Sequence, residues 1–153
     1  MNRSLLAAAT VAALVVALPA AAQFQKPEDA IKYRQSALTV MGTHFGRLGA
    51  MVQGKVPFDA AAAAHNAQIV ETMSKLPFTA FIDGTSQSQF PNTHAKPDIW
   101  AERAKFDAAA TKMQDAAAKL NVAAKSGSLD QIKAAFGPTG QACKACHDDF
   151  RSK

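Results

Sequence analysis

The chain has 153 residues, close to half of them hydrophobic, with 17 Lys and Arg against 12 Asp and Glu for a formal net charge of +5. The charges are spread along the chain and not gathered into a block. They therefore read as solvated helix faces, which argues against nucleic-acid binding. A basic surface of this kind still suits docking to an acidic redox partner.

Arg3 precedes an apolar stretch, Leu5 to Leu18, and Ala20-Ala21-Ala22 follows. That order predicts a secretory signal peptide over residues 1–22, cut after Ala22, with the periplasm as destination. A retained anchor is the competing reading. The apolar run is shorter than the about 20 residues a spanning helix needs, so no membrane association is expected once it is removed. Residues 23–153 then have the length of one domain.

Those residues are rich in Ala, Lys, Gln and Met and poor in β-branched types, which favours helix throughout. The first predicted helix opens at Lys26-Pro27-Glu28-Asp29, where Pro suits the first turn and the carboxylates suit the positive helix end. Ile31, Leu38, Met41, Phe45, Leu48 and Val52 form its apolar seam, interrupted by Arg34, and Gly54 and Pro57 end it. A second helix is expected from about Asp59 to Leu76. A long loop, Pro77 to Lys96, carries Phe78, Phe81 and Phe90 among turn formers, and loops of that length tend to be functional. A third helix should begin at Pro97-Asp98 and keep its seam through Ile99, Phe106, Met113, Ala117 and Leu120. Ser128-Leu129-Asp130-Gln131 reads as the capping box of a fourth, which Gly137-Pro138 should interrupt or kink, since an interior Pro costs about 3 kcal/mol. Four amphipathic helices with mostly short connections predict an all-α, antiparallel up-down four-helix bundle.

There are two cysteines, and both fall in Cys143-Lys144-Ala145-Cys146-His147. As a disulfide the pair would close only a few residues and remove little entropy from the unfolded chain. A zinc site would want further ligands, and a thioredoxin-type motif would want a βαβ setting. Cys-x-x-Cys-His is the attachment signal for c-type haem. Cysteines three apart on a helix lie nearly on one face, within reach of the two vinyl groups of one porphyrin edge. His147, four residues after Cys143, can then supply the iron's axial ligand. One covalently bound haem c is therefore expected, on Cys143 and Cys146, with His147 on the metal.

Only six residues follow His147 and none is Met, so any second axial ligand must come from upstream. The C-terminal haem motif followed by Arg151, the Tyr33-Arg34 pair with Leu38 one turn on, and Pro97-Asp98-Ile99-Trp100 opening a helix together resemble the cytochrome c′ family. The likeness covers essentially the whole of residues 23–153, and that family is itself a standard member of the bundle class named above. It implies that His147 is the only protein ligand of a pentacoordinate, high-spin iron. It further implies that Leu38 covers the distal face, that Arg34 pairs with a haem propionate, and that Arg151 lies beside the proximal ligand. Nitric oxide and carbon monoxide are the implied ligands, with discrimination against oxygen, and a homodimer through the first two helices is the implied assembly.

The residues themselves support parts of this independently. Arg34 interrupts an apolar stripe, and a cation turned toward a core needs a partner, for which a carboxylate is well suited. The alternative is that it snorkels to solvent. Leu38 can neither ligate iron nor donate a hydrogen bond, though ordinary core packing would equally explain it. Arg151 is expected to be a helix neighbour of His147, or else an exposed terminal residue. Trp100, Phe106, Phe81 and Phe136 read as core or haem packing, and His44, His65 and His94 as surface or capping residues. The competing function is a low-spin electron carrier in which Met41, one turn from Leu38, ligates the iron. Enzymatic peroxide reduction is disfavoured, because a distal Leu offers no acid–base group.

Overall fold

The computed structural model describes residues 23–153, and the expected signal peptide, residues 1–22, lies outside them. Four long helices and one short one follow in order: α1 (Pro27–Val52), α2 (Ala60–Ser74), α3 (Asp98–Ala101), α4 (Arg103–Lys125) and α5 (Leu129–Phe150). Their ends follow the local chemistry. Pro27 sits in the first turn of α1 with Glu28 and Asp29, favourable charges for that end of the helix dipole. Gly54 takes φ +69° just beyond α1, a left-handed conformation that a side chain would strain. The Asp59 carboxylate caps α2 by accepting from the Ala62 N–H at 2.9 Å. At α5, Ser128 accepts from the Gln131 N–H at 3.4 Å, which is the first arm of the expected capping box.

Two expectations about helix continuity are corrected. The third helix is broken, because Glu102 leaves helical geometry (φ −116°, ψ 44°) between α3 and α4. Tertiary bonds hold the break: the Trp100 indole N–H donates to the Ile82 carbonyl at 3.1 Å, and Arg103 donates to the Phe81 carbonyl at 3.1 Å. Conversely, α5 runs without interruption through Pro138. Proline leaves the carbonyl four residues earlier without its helical donor. Here that carbonyl belongs to Ala134, which is exposed together with Pro138, so water can serve it.

In the bundle α1 packs on α2, α2 on α4 and α4 on α5, whereas α1 and α5 touch sparsely. Leu48, Val70, Met113, Leu120 and Ile132 form the main core across all four long helices. Each such side chain contributes about 1.5–3 kcal/mol when withdrawn from water. At one end α1 and α5 pinch together, where Phe45 and Phe136 stack with ring centroids 4.3 Å apart and planes within 7°. Gly49 makes this approach possible, since a Cβ there would lie 3.0 Å from the Phe136 ring. At the other end Ala95, Ile99, Phe106 and Phe150 form a second, smaller core.

The long connection between α2 and α3 is fastened at both ends. It begins with a 3-10 turn, Pro77–Ala80, and then wraps the Arg34 guanidinium. Arg34 is 1% exposed, so it does not reach solvent. It donates to the Ala80 carbonyl (3.1 Å), to the Thr85 hydroxyl (2.7 Å) and carbonyl (2.5 Å), and to the Thr93 hydroxyl (3.1 Å). Its cation also lies 4.5 Å from the centroid of the Phe81 ring. The far end of the connection is tied to the end of α5, where Lys96 N–H donates to the Phe150 carbonyl and Ser152 N–H to the His94 carbonyl.

Three variants check this account of the packing. Gly49→Val should drive Phe136 off its stack and lower stability by about 1–3 kcal/mol. Gly46→Ala, at an exposed helical position with nothing within 4 Å, should raise it by about 0.5–1 kcal/mol, both read by chemical denaturation. Arg34→Met should cost about 1–3 kcal/mol by orphaning the loop's buried oxygens. Amide exchange should then quicken across residues 77–96, and an unchanged exchange pattern would show that the loop is held by something else.

Candidate functional site

Where α1 and α5 separate, a cavity of about 710 Å³ opens between them, roofed by α4 and by the long loop. That volume lies within the range of cofactor sites. Its α5 wall carries Cys143, Cys146 and His147, and its α1 wall carries Arg34, Leu38, Met41 and Phe45. Phe81, Phe106 and Phe150 add aromatic surface, so the enclosure is largely apolar with a few polar groups at its edge. All six residues singled out from the sequence as cofactor-binding, including Arg151, line this one cavity.

Cys143 and Cys146 are free thiols, both half-buried and one helical turn apart. Burial pushes both thiols up, and Cys146, further raised by Cys143 and Asp149, reaches about 11. A redox-active Cys-x-x-Cys pair needs a depressed thiol pKa, so this environment disfavours a thioredoxin-like role. His147 reaches solvent, yet the surrounding protein and then the Arg151 cation push its imidazole below the ordinary value, against the pull of Asp148. Both influences favour the neutral ring, which is the form that can ligate a metal.

Arg151 differs from its expected helical setting. It is the residue at which α5 ends, in extended conformation (φ −116°, ψ 129°), and its backbone pairs with Ala95 in an isolated antiparallel bridge. The cause is the loop's hydrogen bonding to the last turn, which draws the chain out of the helix. The Arg151 side chain is exposed and faces the cavity rim.

Among the described residues the Arg34 charge has only neutral hydrogen-bond partners. Burial lowers its pKa to about 10, so it stays a cation at neutral pH. Buried cations are ordinarily matched by an anion, and a carboxylate entering the cavity would supply one. Leu38 is half-buried and packs against the main core while lining the cavity. Met41, buried in the same core, also lines it.

Sequence reasoning missed the loop residues Thr85 and Thr93, which hold Arg34 in place. Only the length of the loop pointed to them. It also missed Met113, on the cavity wall from α4, because a Met on a helical seam reads as core.

A family model described as Cytochrome C' matches residues 29–151. Cytochrome c′ of Rubrivivax gelatinosus is 56% identical over 131 residues, which cover 86% of this chain and 100% of that protein. Its solved structure superposes with a TM-score of 0.80 over 85% of this chain and 100% of that one. Cytochrome c′ of Alcaligenes xylosoxydans xylosoxydans is 48% identical over 131 residues, 86% of this chain and 99% of its own. A nitric oxide complex of a leucine-to-alanine variant of cytochrome c prime from Alcaligenes xylosoxidans aligns with a TM-score of 0.78, at 47% identity over 85% of this chain and 98% of that one. The likeness in sequence and fold thus runs along nearly the whole described chain, which belongs to the cytochrome c′ family.

Proposed function

We propose that this chain is a periplasmic cytochrome with one haem c, attached through Cys143 and Cys146 and ligated by His147 alone, that binds nitric oxide and carbon monoxide and undergoes one-electron redox. The observation that carries this reading is the convergence of both thiols, the imidazole and Leu38 on one largely apolar cavity. When bound, the haem supplies an iron that accepts an electron and a diatomic ligand. Everything else follows from the chain.

The two thiols fix the cofactor covalently, so its retention does not depend on one axial bond. The α1 wall offers Leu38, which excludes water and provides no hydrogen-bond donor. Bound dioxygen relies on such polar stabilisation, whereas nitric oxide and carbon monoxide bind without it. Arg34 gains the anionic partner it lacks if a propionate enters beside the loop, which would join the cofactor to residues 77–96. Arg151, at the end of α5, keeps a positive charge near His147.

A second reading has its own observation. Met41 lines the same cavity one turn from Leu38, so a thioether ligand would make the protein a low-spin electron carrier.

The absorption spectrum of the reduced, haem-loaded protein decides between them. Broad, unsplit visible bands that shift on adding nitric oxide are expected, and Met41→Leu should leave them unchanged. Sharp low-spin bands that resist the gas and turn broad in Met41→Leu would establish the second reading. Loss of covalent haem should follow Cys143→Ala combined with Cys146→Ala.

A further inference from the structure

Away from the cavity, α1 and α2 bring two histidines together. The rings of His44 and His65 lie 6.4 Å apart, centroid to centroid, at 78° to each other. His44 is half-buried and His65 exposed. The environment of His44 settles which of its nitrogens carries the proton. Asn66, only 6% exposed, donates its amide Nδ2 to the Ala62 carbonyl at 2.7 Å. That fixes the amide orientation and turns Oδ1 toward His44, whose Nδ1 stands 2.7 Å away. An amide oxygen can only accept, so Nδ1 must be the donor. In the neutral ring the Nε2 lone pair is therefore left free.

A ring held through Nδ1–H by a buried oxygen, with Nε2 bare, is the arrangement found behind metal-ligating histidines. The partner oxygen sets the tautomer and the ring plane before any ion arrives. We propose that His44 and His65 form a binding site for a divalent late transition ion, with Cu(II) preferred, and that Asn66 is the positioning residue of that site. Imidazole suits copper, nickel and zinc, and copper binds most tightly among them at a given nitrogen site. With metal–nitrogen bonds of about 2.0–2.1 Å, two imidazole centroids stand roughly 5 Å apart at a tetrahedral angle and roughly 6.5 Å apart across a linear one. The observed separation lies at the wide end of that range. His65, being exposed, can turn inward to narrow it.

No group of three or more His, Cys, Asp and Glu able to hold a metal occurs among the described residues, so water completes the coordination. Such a site would be exchangeable and not structural. It is separate from the haem motif, since neither histidine lines the large cavity.

The test uses the ferric, haem-loaded protein titrated with Cu(II) and with Zn(II) at pH 7.5. One copper per chain is expected, bound more tightly than zinc, with electron paramagnetic resonance showing coupling to at least two imidazole nitrogens. His65→Gln and His44→Gln should each weaken copper binding by about tenfold or more, and Asn66→Ala by about tenfold, with the haem spectrum unchanged. His65 is exposed, so its variant keeps the test valid should the other two fail to fold. Copper affinity unaltered in His65→Gln, coupling to fewer than two nitrogens, or binding abolished only by His94→Gln would overturn the proposal.

Discussion

The sparse contact between α1 and α5 governs the rest of the molecule. Three of the four neighbouring helix pairs in the bundle are in extensive contact, and α1 with α5 is not. The fourth is closed only at the pinch, where Gly49 admits the Phe136 ring and Phe136 stacks on Phe45. Beyond the pinch the two helices stand apart, and the space between them receives the haem motif from one side and Leu38 from the other. Packing of α1 on α5 as dense as at the other three edges would leave no room for the cavity between them. The site therefore depends on withholding contacts as much as on making them.

The long loop compensates for that opening. It crosses the open end of the cavity and is tied to α1 through Arg34 and to the end of α5 through backbone hydrogen bonds. A guanidinium is suited to the first task because its fork of donors can engage several oxygens at once. The cost is a buried charge with neutral partners, visible in the lowered pKa of Arg34. The bonds at the far end draw Arg151 out of the helix, so the same fastening that closes the cavity also sets the backbone next to His147.

Much of this was legible in the sequence, for local reasons. Pro27, Asp59 and Ser128 mark helix starts because capping is chemistry within a few residues. The haem motif is legible because its spacing is itself the geometry. What escaped is long-range. Glu102 breaks a helix with neither Pro nor Gly at hand, because Trp100 and Arg103 answer to loop carbonyls 18 and 22 residues away. Thr85 and Thr93 hold Arg34 across 51 and 59 residues, a separation that no periodicity records. Pro138 does not interrupt α5, since its effect depends on whether the carbonyl it orphans can reach water. The tautomer of His44 likewise depends on a neighbouring helix and could not be read from α1 alone.

Phe136 and His147 lie on one helix, eleven residues apart, which at 1.5 Å per residue is roughly 16 Å. The pinch is thus a fulcrum, and the stretch of α5 beyond it is a lever arm with the imidazole near its tip. If that arm moves rigidly, a tilt of only about 3–4° at the fulcrum displaces His147 by roughly 1 Å. The stiffness of the Phe45–Phe136 stack is then one of the constraints on how far the His147 imidazole can travel. The mechanical compliance of this wall of the cavity is therefore shared between the aromatic contact of α1 with α5, the packing of α5 on α4 and the fastening of its far end to the loop.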